Sequence, residues 1–217
     1  MNKYYKILPE DLNCRGFQYH EGLNIDTNTI NEYECSYGLH FSDAKYILSF
    51  YGHGTMIAEV ELPEDAIVYH FDGKSKADKI ILKNLRPLWS AETLEVLIQE
   101  GADFEVYKYH LLYEAAKNGY LNAIKYIIEH GANVHIDNDD TLYLATYYGH
   151  FDVAKYLVEQ GADIHALNDR ALRIASENGY LDIVKHLVEH GANIHAMENW
   201  AIRYADTPEI EKYLKSL

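Results

Sequence analysis

The sequence predicts two kinds of structure in one chain, an α+β N-terminal domain over residues 1–87 and an all-α helical solenoid over residues 88–217. The first observation is an echo: Gly101-Ala102-Asp103, Gly131-Ala132-Asn133, Gly161-Ala162-Asp163 and Gly191-Ala192-Asn193 stand 30 residues apart. The second is that Asn118-Gly119-Tyr120, Tyr148-Gly149-His150 and Asn178-Gly179-Tyr180 keep the same step. Two interleaved phrases at one period predict stacked repeats rather than a closed globule. The third is that residues 1–87 carry no such echo, but hold short apolar and β-branched runs divided by turn residues.

In the N-terminal part, Met56–Leu62, Ala66–Phe71 and Lys79–Leu82 read as strands, separated by Pro63-Glu64-Asp65 and Asp72-Gly73-Lys74. Ser42-Asp43 caps a helix expected to run through Phe50, and Pro87 interrupts the chain near a boundary at Asn84–Trp89. The two cysteines, Cys14 and Cys35, both lie here and are expected to be reduced, buried thiols. They form no CxxC and have no neighbouring His pair, so they do not supply a zinc site.

From Ser90 onward helices dominate. Ser90 opens a helix that reaches Gly101 and matches only the second half of a repeat, so the array is expected to start with a half repeat at 88–101. Repeats follow at 102–131, 132–161 and 162–191, with a C-terminal cap at 192–217. In each, Leu121, Ile124, Ile127 and Ile128, or their equivalents 30 and 60 positions on, lay an apolar stripe along one helix. A shorter helix comes first, around Leu111–Lys117, Thr141–Tyr147 and Ala171–Glu177, marked by the column Ala115, Ala145, Ala175 and Ala205. Small side chains there let paired helices approach closely. Glycines between and after the helices suit left-handed helix ends.

These phrases resemble the ankyrin repeat: Leu172–Ala175 its Leu-x-x-Ala helix, Asn178–Tyr180 its Asn-Gly-His turn, Leu181–Leu187 its second helix, Gly191–His195 its exit. The resemblance covers about residues 89–217 and implies a protein-binding solenoid. The period is three residues shorter than the usual ~33, and the deficit falls in the finger, where no Thr-Pro-Leu-His phrase appears. The fingers are therefore expected to be short loops. At the far end Pro208 starts a last helix in which Glu211 stands in the column of Ile124, Ala154 and Val184, as a polar terminal cap requires.

His135, His165 and His195 also recur at 30. Neighbouring repeats are about 10 Å apart, whereas ligands of one zinc sit about 2.1 Å from it, so no ion bridges the column. A structural hydrogen-bonding role is expected instead, with no metal and no cofactor. The array carries no phosphate-cradling loop, His-Glu-x-x-His or Gly-x-Ser-x-Gly, and the chain is read as a binding protein, not an enzyme.

Composition directs the partner. The net charge is −15, and residues 89–217 hold 21 of the 34 Asp and Glu but 10 of the 19 Lys and Arg. Such an array repels phosphate backbones, so nucleic acid is excluded and a protein with a basic surface is expected. No apolar run spans a bilayer, and Met1–Tyr5 opens no signal-peptide segment, so no membrane partner and an intracellular location are expected. Within the resemblance, loop tips and the exposed side of the first helices line the concave face. The partner-binding candidates are Tyr109, Tyr113, Lys117, Asp139, Tyr143, Tyr147, Tyr148, Arg170, Arg173, Glu177, Trp200 and Arg203. Rigid aromatics supply contact area and carboxylates supply steering.

The phrases Phe17–Asn24, Gly38–Phe41 and Val60–Ala66 resemble an uncharacterised domain that precedes ankyrin arrays in giant DNA viruses. That resemblance places the chain in host cytoplasm or virion and brings no activity. Gly38-Leu39-His40-Phe41-Ser42 before a helix is also similar to the middle of ADP-ribosyltransferase catalytic domains. That similarity implies an NAD-binding module, active or degenerate, with Arg15, His40 and Ser42 along a nicotinamide site, although no catalytic Glu follows at Lys79–Leu82.

Overall fold

The computed structural model describes residues 3–28, 30–33 and 38–217; Cys35 lies outside the described residues. The chain forms two compact units, residues 1–107 and 108–217.

The first unit is built on a seven-stranded antiparallel sheet. Its strands are β1 (Tyr4–Leu8), β4 (Gly22–Ile25), β5 (Leu39–Asp43), β6 (Met56–Glu61), β7 (Val68–His70), β8 (Ser75–Ala77) and β9 (Lys79–Pro87), and a separate hairpin joins β2 (Asn13–Cys14) to β3 (Phe17–Gln18). The spatial order is β4-β9-β6-β1-β5-β8-β7. All three expected strands are present, the last running on to Pro87, where a missing N–H costs nothing at the strand end. The sequence reading missed β1, which is central. Its Tyr4-Tyr5-Lys6-Ile7-Leu8 run is buried from Tyr5 onward, so both faces are covered and the alternation that marks a half-buried strand is absent.

The expected Ser42–Phe50 helix divides. Ser42 stays in β5, where its hydroxyl donates to the Gly73 carbonyl at 2.8 Å. Asp43 alone caps α1 (Ala44–Ile47) by accepting from the Tyr46 N–H at 3.3 Å, and a 3-10 turn over Leu48–His53 follows. Cys14 is free and half-buried rather than buried. Leu8, Leu39, Phe41, Ala58, Ile80 and Leu82 form one apolar cluster on the sheet. The Ser90 cap is real, accepting from the Thr93 N–H at 3.2 Å at the start of α2 (Ala91–Gln99).

Helical hairpins make up the rest: α3 (Phe104–Asn118), α4 (Leu121–Glu129), α5 (Asp140–Tyr147), α6 (Phe151–Glu159), α7 (Ala166–Glu177), α8 (Leu181–Glu189), α9 (Ala196–Arg203) and α10 (Pro208–Lys215). In the second unit α5 packs against α6 and α7, and α7 against α8 and α9, so each hairpin contacts its successor. Residues 111–120, 141–150 and 171–180 share one order of burial, position by position. Ala115, Ala145 and Ala175 are fully buried, but Ala205 falls beyond the end of α9 and is half-exposed. Glu211 is likewise half-exposed and pairs with Lys215, while Ile210 and Leu214 hold α10 down.

Gly119 ends α3 at φ +76°, and a Cβ there would meet the His150 ring of the next repeat at 2.7 Å. That ring binds the Lys117 carbonyl through Nε2 at 2.8 Å. The turn phrase thus couples helix termination to stacking: the residue after one glycine covers the glycine before it.

Candidate functional site

The fingers are short, and they contain no strand. Asp137-Asn138-Asp139, Leu167-Asn168-Asp169 and Met197-Glu198-Asn199 each place three successive residues in the left-handed region, at φ from 50° to 64°. Such residues cost about 1–2 kcal/mol each, so something must hold them. The histidine column does. His135 Nδ1 donates to Asp139 Oδ1 at 3.1 Å, His165 Nδ1 to Asp169 Oδ1 at 3.0 Å, and His195 Nδ1 to Asn199 Oδ1 at 2.6 Å. Asp139 Oδ1 also accepts from the Asp163 N–H at 3.0 Å, and Asp169 Oδ1 from the Asn193 N–H at 2.7 Å, one repeat further on. The periodic histidines are therefore hydrogen-bonding supports, as their spacing implied.

This arrangement removes Asp139 from the outer surface. It is 6% exposed, its carboxylate is held by His135 and the Asp163 amide, and it belongs to the structural ladder. The signal was present in the sequence as His-x-x-x-Asp or His-x-x-x-Asn, repeated in phase with the period.

The first finger differs. Tyr107-Lys108-Tyr109 offers no Asn or Asp to stabilise left-handed backbone, and α3 simply extends back through it, so Tyr109 is a half-buried helical residue and not a loop tip.

Among the remaining candidates two aromatic–arginine groups form, one around Tyr143 and one around Trp200. Tyr147 and Tyr148 are 44% and 43% exposed, with rings 5.0 Å apart edge to face; Tyr143 lies 5.8 Å from Tyr147. The Arg170 guanidinium sits 3.4 Å over the Tyr143 ring and donates to Asp140 Oδ1 at 3.0 Å. Arg173 donates to the carbonyls of Asn168 and Leu167 at 3.0 and 3.1 Å, clamping its finger, and lies 5.7 Å from the Trp200 ring. Trp200 in turn packs at a tilt against Tyr204, with ring centroids 4.4 Å apart. Tyr113 donates to Asp137 at 2.5 Å, and burial together with that bond raises its hydroxyl pKa. Lys117, Glu177 and Arg203 are exposed; Lys117 pairs with Glu114, and Arg203 with Glu198 at 3.7 Å. Chemically, these are clusters of aromatic rings and arginines with carboxylates beside them.

The first unit contains a cavity of about 730 Å³ whose lining includes Lys6, Cys14, Arg15, Phe17, Tyr19, His40, Ser42 and Lys74. Arg15, His40 and Ser42, expected together from the sequence, all line it. The sequence reading missed Lys6. Its only signal was a lysine inside the apolar Tyr4–Leu8 run.

A family model for ankyrin repeats in three copies matches residues 88–168 and 135–198. A second, for a domain of unknown function (DUF7666), matches residues 2–91. Ankyrin repeat protein R868 of Acanthamoeba polyphaga mimivirus is 33% identical over 131 residues, covering 56% of this chain and 64% of that protein. R838 of the same virus is 34% identical over 141 residues, covering 57% of this chain and 51% of its own length. The chain therefore spans between half and two thirds of the length of these two relatives. Stacked helical hairpins, left-handed glycine turns and the matched models agree that this chain belongs to the ankyrin-repeat family, with a DUF7666 domain ahead of the array.

Proposed function

We propose that residues 88–217 bind another protein through the band formed by Tyr143, Tyr147, Tyr148, Arg170, Arg173 and Trp200, and that the chain works as a scaffold or adaptor in host cytoplasm or virion. The observation that carries this reading is the exposed Tyr147–Tyr148 pair beside the Arg170–Tyr143 stack. Solvent-facing aromatics held rigid by neighbours supply contact area at little entropic cost. Tyr109, Tyr113, Lys117, Glu177 and Arg203 form the periphery, and Asp139 supports the finger beneath. The excess of carboxylates favours a partner with a basic surface and disfavours nucleic acid. The functional division is placed at residue 88, where the repeat phase begins, with no catalytic step assigned to the array.

The test is quantitative affinity capture from infected host cells with the full chain, against Tyr147→Ala/Tyr148→Ala and Trp200→Ala variants of unchanged melting temperature. Partner recovery falls at least tenfold for the variants, which corresponds to about 1.4 kcal/mol. An unaltered set of captured proteins removes this assignment.

A second reading concerns the first unit. Convergence of Arg15, His40 and Ser42 on one cavity supports the NAD-binding alternative, in a degenerate form, because Lys79–Leu82 carries no glutamate to assist bond cleavage. Calorimetry of the full chain with millimolar NAD checks it; the absence of heat discards it.

A further inference from the structure

Lys6 is the anomaly of the first unit. It is 6% exposed, and it projects from the central strand into the cavity, where its ammonium lies 4.5 Å from the Tyr19 ring and donates to the His40 carbonyl at 2.6 Å. A lysine is retained in such a place only at a cost, since the charged amine gives up its hydration. Burial pushes its pKa down to about 8.

The rest of the lining gives that amine a context. Arg15 and Lys74 add cationic groups, and His40 and His53 add titratable rings. Among the described residues the lining holds one carboxylate, Asp26, and it is already engaged: Oδ1 accepts from the Asn28 backbone and side-chain N–H groups at 3.0 and 2.7 Å, and Oδ2 from the Gly38 N–H at 2.9 Å. Its hydrogen bonds hold its pKa below the usual carboxylate value despite partial burial, which opposes them. Among the described lining residues, cationic side chains therefore outnumber carboxylates. The remaining wall is aromatic: Phe17 and Tyr19 lie 4.7 Å apart, and Phe41 and Phe50 also line the space. About 730 Å³ lies within the roughly 300–1,000 Å³ of small-molecule sites.

We propose that this cavity binds a planar ring carrying a phosphate, with the ring against Phe17 and Tyr19, the phosphate held by Arg15 and Lys74, and the Lys6 amine beside the bound group. A dianionic phosphate matches several cations better than one carboxylate does, and aromatic walls select a flat group over an aliphatic one. The inference does not require the NAD reading. A phosphate monoester bearing a planar ring can occupy the cavity whether or not a dinucleotide does.

The probe is pyridoxal 5′-phosphate, a planar pyridine ring with a phosphate ester on its hydroxymethyl arm, whose aldehyde condenses with a neutral amine to an imine, releasing water; borohydride then reduces the imine to a stable secondary amine. The full chain is labelled at pH 7.5 and the modified lysines are located by peptide mass mapping. Lys6 is expected to react roughly tenfold faster than exposed Lys125, in the way a charge-assisted anchor concentrates the reagent. Inorganic phosphate and adenosine 5′-monophosphate are expected to suppress that labelling, and Arg15→Gln to slow it without altering the reaction at Lys125. A second readout needs no lysine chemistry: adenosine 5′-monophosphate should protect Cys14, in the same lining, from iodoacetamide.

Labelling spread over exposed lysines with Lys6 spared overturns the proposal. So does Lys6 labelling that neither phosphate competition nor Arg15→Gln changes, since that is a reactive amine without an anion site. If NAD calorimetry is silent while Lys6 labels and phosphate protects it, the dinucleotide reading fails and this one stands.

Discussion

The carboxylate of Asp169 accepts the backbone N–H of Asn193 at 2.7 Å, across 24 residues and from one repeat to the next. The same oxygen receives His165 Nδ1 at 3.0 Å, so one buried acceptor fixes a left-handed finger and the start of the following one. Asp139 repeats the geometry toward Asp163.

Asp169→Ala leaves the Asn193 N–H and the His165 ring without their acceptor. A loss of about 1–3 kcal/mol is expected, the usual result of orphaning a buried donor. Asp169→Asn should retain most of the stability, because Asn199 already performs the same task for His195 at 2.6 Å. Urea unfolding of the three proteins decides the matter; equal midpoints for Ala and Asn would remove the side-chain oxygen from the explanation.

Gly149→Ala combines two penalties, a φ of +75° and a Cβ placed 2.6 Å from the Tyr180 ring. Gly131→Ala meets only the first, at φ +88° with open space around it. Both variants destabilise, Gly131→Ala by about 1 kcal/mol and Gly149→Ala by more. Thermal melts that reverse this ranking would show that Tyr180 yields freely.

His186 packs edge-on against Phe151 at 5.9 Å and faces His190, Lys155, Glu159 and Glu189. Burial first, then the His190 and Lys155 charges, lower its pKa below 6.5, while the two glutamates oppose the shift. A depressed folded pKa means the unfolded chain takes the proton more readily. The stability this group contributes is therefore complete above pH 6.5 and lost as pH falls through the lower folded value. His186→Phe should flatten the dependence of melting temperature on pH between neutral and mildly acidic buffer, relative to wild type.

Lys6 obeys the same sign in another range. Its folded pKa of about 8 lies below the ordinary 10.5, so its contribution is complete above pH 10.5 and is lost as pH falls through 8. At neutral pH the buried ammonium is a burden. Lys6→Met should raise stability there by on the order of 1–2 kcal/mol after the lost bond to the His40 carbonyl is discounted. The gain should vanish in strongly alkaline buffer, and differential scanning calorimetry at the two pH values reads the difference.

The array was legible because its signals are local and repeat. Ser90, Leu121–Glu129 and the glycine phrases give the helices and their order from short-range chemistry alone. Of the candidates, Tyr143, Tyr147, Tyr148 and Arg170 pack together, and Arg173 lies beside Trp200. Asp139 was misplaced because a polar residue in a loop reads as solvated until its cross-repeat partner is known. In the first unit, β1 escaped notice because burial on both faces erases the period-2 pattern. Of the cavity, Arg15, His40 and Ser42 were legible, while Lys6 and Lys74 were not, because they come from separated stretches that only the folded sheet brings together.

The left-handed fingers also decide what kind of recognition is available. A hairpin finger exposes a strand edge whose free N–H and C=O groups invite a partner to add a strand of its own. Among the described residues of 108–217 there is no strand, and the finger backbone at 137–139, 167–169 and 197–199 is curled in left-handed turns instead. A partner must then be read by side chains alone. Selectivity in this array becomes a matter of which rings and guanidinium groups the helices present, with no contribution from backbone pairing that any extended peptide could satisfy.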